Sequence, residues 1–141
     1  MRKHEYCFEL KGKLSELKRL CRYLEECGDV MNLPQKCKFE MNLGLDELFT
    51  NIVSYGFNDE LEHEIKFSIA KKGDKLIVLI EDDGKPFNPL DVKTGGVSTD
   101  LDATDIGGLG IHLVKNMMDA IEYERSEGKN KVILSKYVKV V

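Results

Sequence analysis

The feature that most restricts the fold is the order in which the hydrophobic period changes along the chain. From Leu14, apolar residues recur at helical spacing (Leu14, Leu17, Leu20, Cys21, Leu24, Cys27), and Gly28-Asp29 closes the stripe. A second stripe carries Cys37, Met41, Leu45, Leu48, Ile52 and Tyr55. It begins after Leu33-Pro34, where proline suits a first helical turn, and stops at Gly56-Phe57-Asn58-Asp59. The period then falls to two. Ile65, Phe67 and Ile69 alternate, Lys72-Gly73-Asp74 turns the chain, and residues 76–80 are apolar throughout. That pattern predicts an antiparallel hairpin whose second strand is central. Another helical stripe (Leu109, Leu113, Val114, Met117, Met118) follows Gly107-Gly108, and a second hairpin spans residues 121–134 around Glu127-Gly128-Lys129-Asn130. With a first strand over residues 6–10, the order is β-α-α-β-β-loop-α-β-β. Helices segregated against a mixed, mostly antiparallel sheet give a two-layer α+β domain, here a single one over residues 1–141.

Composition fits such a domain. The chain has 141 residues, 42% hydrophobic and 33% charged, so it can bury a core without staples. No apolar run approaches the ~20 residues of a membrane helix, which excludes a spanning protein. The start, Met1-Arg2-Lys3-His4-Glu5-Tyr6, is basic but leads into no apolar segment, so the expected location is the cytoplasm. A net charge of −4 argues against a nucleic-acid binder that works by bulk charge. Cys7, Cys21, Cys27 and Cys37 form no C-x-x-C pair and read as free thiols acting as small buried hydrophobes. His4, His63 and His112 read as surface residues without partners.

Three segments carry chemistry. Glu47 and Asn51 stand four apart on one helical face, a carboxylate beside a carboxamide. Such a pair can hold a hydroxyl on one side and a hard cation on the other. Glu81-Asp82-Asp83-Gly84-Lys85-Pro86-Phe87-Asn88-Pro89 follows the apolar strand. There a carboxylate can accept an exocyclic amine, and a glycine lets a flat ring approach the backbone. Ile106-Gly107-Gly108-Leu109-Gly110-Ile111 opens a helix with glycines, exposing N–H groups to an anion. It is neither a P-loop nor a dinucleotide fingerprint, since no Gly-Lys-Ser/Thr and no third glycine follow. Each segment alone has a plain structural reading: a solvated helix face, a tight turn, a glycine-rich cap.

In this order the three resemble the N, G1 and G2 boxes of the GHKL (Bergerat-fold) ATPases, a superfamily that includes gyrase B, the 90-kDa heat-shock chaperones, histidine kinases and MutL. Residues 107–115, Met118-Asp119 and Tyr123-Glu124-Arg125, together with Asp82-Asp83-Gly84-Lys85-Pro86-Phe87-Asn88-Pro89, resemble the stand-alone anti-sigma-factor serine/threonine kinases. The resemblance implies a two-layer sandwich with helices on one face and a long ATP lid over about residues 91–106. It implies ATP and Mg²⁺ as cofactors, with Asn51 holding the metal and Glu47 as general base toward the acceptor hydroxyl. Asp82 would accept the adenine amine, Gly84 would admit the ring, and the N–H groups of Gly108, Leu109, Gly110 and Ile111 would cradle phosphate. Ser135 would correspond to a family hydroxyl near the adenine.

The implied substrate is a serine or threonine on a small STAS-domain anti-anti-sigma protein. A sigma factor is the competing partner, and self-association as a homodimer belongs to the same picture, with no direct nucleic acid and no membrane. The chain departs from its relatives where no arginine adjoins the G2 glycines and where Tyr55 replaces a common histidine. Two alternative functions remain in view. One is an ATP-dependent interaction switch without efficient transfer, which would not need Glu47. The other is a detached histidine-kinase catalytic domain, which would need a histidine in a dimerisation helix.

Overall fold

The two hairpins and the first strand join into one five-stranded sheet. In the computed structural model, which describes residues 4–91 and 106–138, the strands are β1 (His4–Lys11), β2 (Glu64–Lys72), β3 (Lys75–Asp82), β4 (Ala120–Ser126) and β5 (Lys129–Tyr137). Their order is β1-β2-β3-β5-β4, and every pairing is antiparallel, so no parallel pair occurs among the described residues. The helices are α1 (Leu17–Val30), α2 (Gln35–Asn51) and α3 (Ile106–Met117). No helix among the described residues is long and apolar enough to cross a membrane.

All three helices pack on one face of the sheet. Phe8, Leu10, Ile65, Phe67, Ile69, Val78, Ile80, Val132 and Leu134 share a buried cluster with Leu20, Leu24, Leu45, Leu48 and Val114. Burying each such side chain contributes on the order of 1.5–3 kcal/mol. Rings fasten α1 to the sheet: Phe8 stacks on Tyr23 at 4.4 Å and on Phe67 at 4.8 Å. Helix α2 crosses α3 at Gly44, where an added Cβ would lie 3.1 Å from Val114. β3 is the central strand, as its apolar run predicts, but only Leu76, Val78, Ile80 and Asp82 are fully buried. Ile77 and Leu79 point to the face without helices and are half-exposed there. Cys27 and Cys37 are buried, and burial pushes the Cys27 thiol up to about 12. Cys7 and Cys21 are exposed instead, Cys7 because it falls on the outward phase of β1.

Two boundaries differ from the sequence pattern in ways that shape the site. Past Asn51 the helix widens into a π-helical turn, Ile52–Gly56. In the second hairpin the turn is only Glu127-Gly128, both with positive φ (53° and 77°), the geometry of a tight two-residue connection. Asn130, expected in that turn, therefore lies inside β5.

His63, expected to stand alone on the surface, has two partners. Its Nε2 lies 2.6 Å from Asp59 Oδ1, its Nδ1 lies 2.9 Å from Asp83 Oδ1, and its ring stacks on Phe57 at 4.2 Å. The bonds to Asp59 and Asp83 hold the imidazole pKa above its ordinary 6.5. The stabilisation is therefore complete below that ordinary value and is lost as pH rises through the raised one. We expect His63→Gln to lower the melting temperature most in mildly acidic buffer, with the gap to wild type closing toward alkaline pH. A gap that stays constant across a pH series of thermal melts would refute the charged clasp.

Candidate functional site

The candidate site lies where the C-terminal ends of β3 and α2 meet the loop between residues 83 and 91. Asp82 is the last residue of β3 and sits on its inward phase, so its carboxylate is 4% exposed. Its Oδ1 accepts the Gly84 N–H at 2.9 Å and the Asn130 Nδ2–H at 3.0 Å. Its Oδ2 has no donor among the described residues. A buried carboxylate oxygen without a partner is costly, and it is the atom a ligand's N–H would meet. Burial pushes the Asp82 carboxyl above its ordinary range, and the bonds from Asn130 and Gly84 oppose that rise.

The loop after Asp82 is held at several backbone atoms. Lys85 N donates to Gly56 O at 3.1 Å, which ties the loop to the π-helical turn. Gly84 is required by that contact: a Cβ there would come within 2.5 Å of the Gly56 carbonyl oxygen. The sequence reading assigned Gly84 to ring approach alone, whereas the chain's own packing already demands it. Farther along, Asn88 Oδ1 accepts the Leu90 N–H at 3.0 Å and starts the short turn Pro89–Asp91. Asn130 and Arg125 join the loop from the second hairpin, Arg125 donating to Gly84 O at 2.7 Å. The sequence marks Arg125 only as part of the Tyr123-Glu124-Arg125 resemblance and gives neither residue a role, because nothing in their spacing brings them to Asp82 or its loop.

Helix α2 supplies the other half. Asn51, in its last turn, is 4% exposed and gives Nδ2–H to Pro89 O at 3.1 Å. Since a carbonyl only accepts, Nδ2 faces Pro89 and Oδ1 stays uncommitted among the described residues. That buried, uncommitted amide oxygen suits Mg²⁺, which takes few protein ligands and completes its shell with water and phosphate oxygens. Glu47, one turn earlier, is half-buried and makes no hydrogen bond or ion pair among the described residues. Burial, with the neighbouring Asp46 charge, holds its carboxyl above the ordinary range. Raised basicity of this kind suits proton acceptance.

Gly108, Leu109, Gly110 and Ile111 fall in the first two turns of α3, which starts at Ile106. Gly108 and Leu109 are among the first four residues, whose N–H groups have no intrahelical acceptor. Gly110 and Ile111 lie one step deeper, and the Ile111 side chain joins the core. The expected lid, about residues 91–106, lies outside the described residues except at its two ends. Ser135 does not approach Asp82. It pairs with Ile77 and Ala120, on the face without helices, and Asn130 stands in register with Asp82 instead.

Serine/threonine-protein kinase BtrW of Bordetella bronchiseptica is 26% identical over 102 residues, 72% of each chain. Serine-protein kinase RsbW of Listeria monocytogenes is 29% identical over 103 residues, 70% of this chain and 65% of that one. RsbW of Bacillus subtilis is 24% identical over 103 residues, and this alignment covers 64% of the relative. The chain thus spans about two thirds of the length of these curated relatives. Its fold matches the crystal structure of the RsbU and RsbW domains of Rv1364c from Mycobacterium tuberculosis with a TM-score of 0.65. That likeness holds at 10% identity and covers 96% of this chain and 32% of the other. The model of the histidine kinase-like ATPase domain matches residues 10–136, and the chain belongs to that family.

Proposed function

We propose that this chain is an ATP- and Mg²⁺-dependent regulatory serine/threonine protein kinase of the anti-sigma-factor type. Its substrate is a hydroxyl on a small STAS-domain antagonist, and a sigma factor is its competing partner. The observation that carries the reading is Glu47, a half-buried carboxylate with no partner among the described residues, one helical turn before the uncommitted amide oxygen of Asn51. A pure binding module has no use for a raised-pKa carboxylate there. The kinase names of BtrW and RsbW support the same reading.

Each residue has a separable task. Asp82 accepts the adenine amine on Oδ2, while Gly84 keeps the loop low enough for the ring to lie against it. Asn51 holds Mg²⁺ through Oδ1, and the metal when bound neutralises charge on the phosphate oxygens. The N–H groups at the start of α3 add dipole-aligned donors for phosphate. Glu47 takes the proton of the incoming serine or threonine hydroxyl as its oxygen attacks the γ-phosphorus, while the bond from that phosphorus to the β–γ bridging oxygen breaks and ADP leaves with its electron pair. Phosphoryl transfer asks mainly for positioning and charge neutralisation, so this small set can suffice.

Glu47→Gln should leave MgATP affinity near normal and cut phosphoserine formation on a cognate STAS protein by roughly 10²–10⁴-fold, the scale of a lost general base. In wild type the transfer rate should fall with acidification through the raised Glu47 pKa, and that limb should vanish in the variant. Equal transfer by variant and wild type would defeat the kinase reading and favour an ATP-dependent interaction switch. For the nucleotide itself, Asn51→Ala should weaken MgATP binding in calorimetry while binding of metal-free nucleotide changes little. Asp82→Asn, which replaces an acceptor oxygen with a donor, should reduce both ATP affinity and the preference for ATP over GTP. An undiminished preference would remove Asp82 from base recognition.

A further inference from the structure

Asn130 is 1% exposed and occupies the β5 position directly opposite Asp82. Its Nδ2 donates to Asp82 Oδ1 at 3.0 Å and to Lys85 O at 2.8 Å. Its Oδ1 accepts from Phe87 N at 3.2 Å, from Arg125 Nη1 at 3.2 Å and from the Tyr123 hydroxyl. This amide has only one workable orientation. Flipped, its oxygen would face a carboxylate and a carbonyl, and its NH₂ would face three donors.

We propose that Asn130 is the positioning residue behind the purine preference of the site, keeping one Asp82 oxygen occupied and the other available to an exocyclic amine. This rests on the reading of Asp82 as the group that meets the base. The physical reason lies in what each carboxyl state can do. An ionised Asp82 with Oδ2 uncommitted accepts the amine of adenine and repels the carbonyl oxygen of guanine. A protonated or rotated Asp82 can donate to that carbonyl, and discrimination fails. Burial favours its neutral form, and three things favour the ionised one: the Asn130 N–H, the Gly84 N–H and the Arg125 charge. Opposing them is Asp83, itself bound by His63. Glu62, Glu64, Glu81, Lys66 and Lys129 border the same cavity as Asp82 and supply mixed charge at its rim. Of all these groups, only Asn130 bonds both the Asp82 side chain and the loop backbone that lies beneath the base.

The test compares ADP and GDP affinity, by calorimetry from mildly acidic to neutral pH, in wild type, Asn130→Asp and Asn130→Ala. Asn130→Asp keeps the shape and replaces the donor with an acceptor. Wild type should prefer ADP, and each folded variant should lose roughly 10-fold or more of that preference, the scale of a hydrogen bond to a charged group. In both variants the pH below which ADP affinity falls should move upward, because Asp82 has lost a bond that favours its ionised form. A merely structural role would lower affinity at every pH without moving that limb. Wild type supplies a check that needs no substitution: the Asn130 side-chain amide signal in a ¹⁵N spectrum should shift at the pH where ADP affinity falls. A preference and acid limb unchanged in the variants, or an Asn130 signal indifferent to that pH, would overturn the inference and leave Asp82 as base reader intact. Wild type binding neither nucleotide would overturn the proposed function as well.

Discussion

A carboxylate taken out of water must find donors or give up its charge, and Asp82 is where this chain meets that constraint. Its position at the end of the central strand leaves three possible sources of donors: its own following loop, the neighbouring strand and the next hairpin partner. All three are used, through Gly84 N–H, Asn130 Nδ2–H and the Arg125 charge. Much of the local architecture depends on meeting this need. β5 must lie beside β3 in a register that sets Asn130 against Asp82. The loop must fold back tightly enough for Gly84 to touch the π-helical turn, which excludes any side chain there. The oxygen left over is the site's most specific chemical feature.

Helix α2 transmits the order of the core to the other half of the site. Leu45, Leu48 and Phe49 are wholly buried, so the rotation of the helix about its own axis is set by packing on the sheet. Glu47 and Asn51 inherit that rotation. One ends half-buried, the other buried against the Pro89 carbonyl. Placing both on a packed helix rather than a loop gives the fixed geometry that phosphoryl transfer needs, since positioning supplies most of its rate. The loop from residue 83 to residue 91 is then tied to β5 at Lys85 and Phe87 and to Asn51 at Pro89. Asp82 and Asn51 are thus mechanically joined through the backbone of this loop.

What was legible in the sequence follows from short-range physics. Period 3.6 and period two are local properties, so α1, α2, α3 and both hairpins could be read, with errors of a few residues at their ends. The spacing of Glu47 and Asn51 is a property of one helix, and Asp82-Asp83-Gly84 of one strand end, so these candidates were also visible. Asn130 was not, because its role comes from strand register. A turn two residues shorter than the expected Glu127-Gly128-Lys129-Asn130 moved Asn130 into β5, opposite a residue 48 positions away. Ser135 failed for the same reason: strand phase alone decides which face a residue occupies, and its phase points away from the helices. The His63 clasp and the exposure of Cys7 and Cys21 likewise depend on which segments meet across the fold. The sequence by itself determined the elements, their order and the side chains able to do chemistry within one element. Tertiary structure alone decided which of them face one another, because register and packing are set by the whole buried surface at once rather than by any local run of residues.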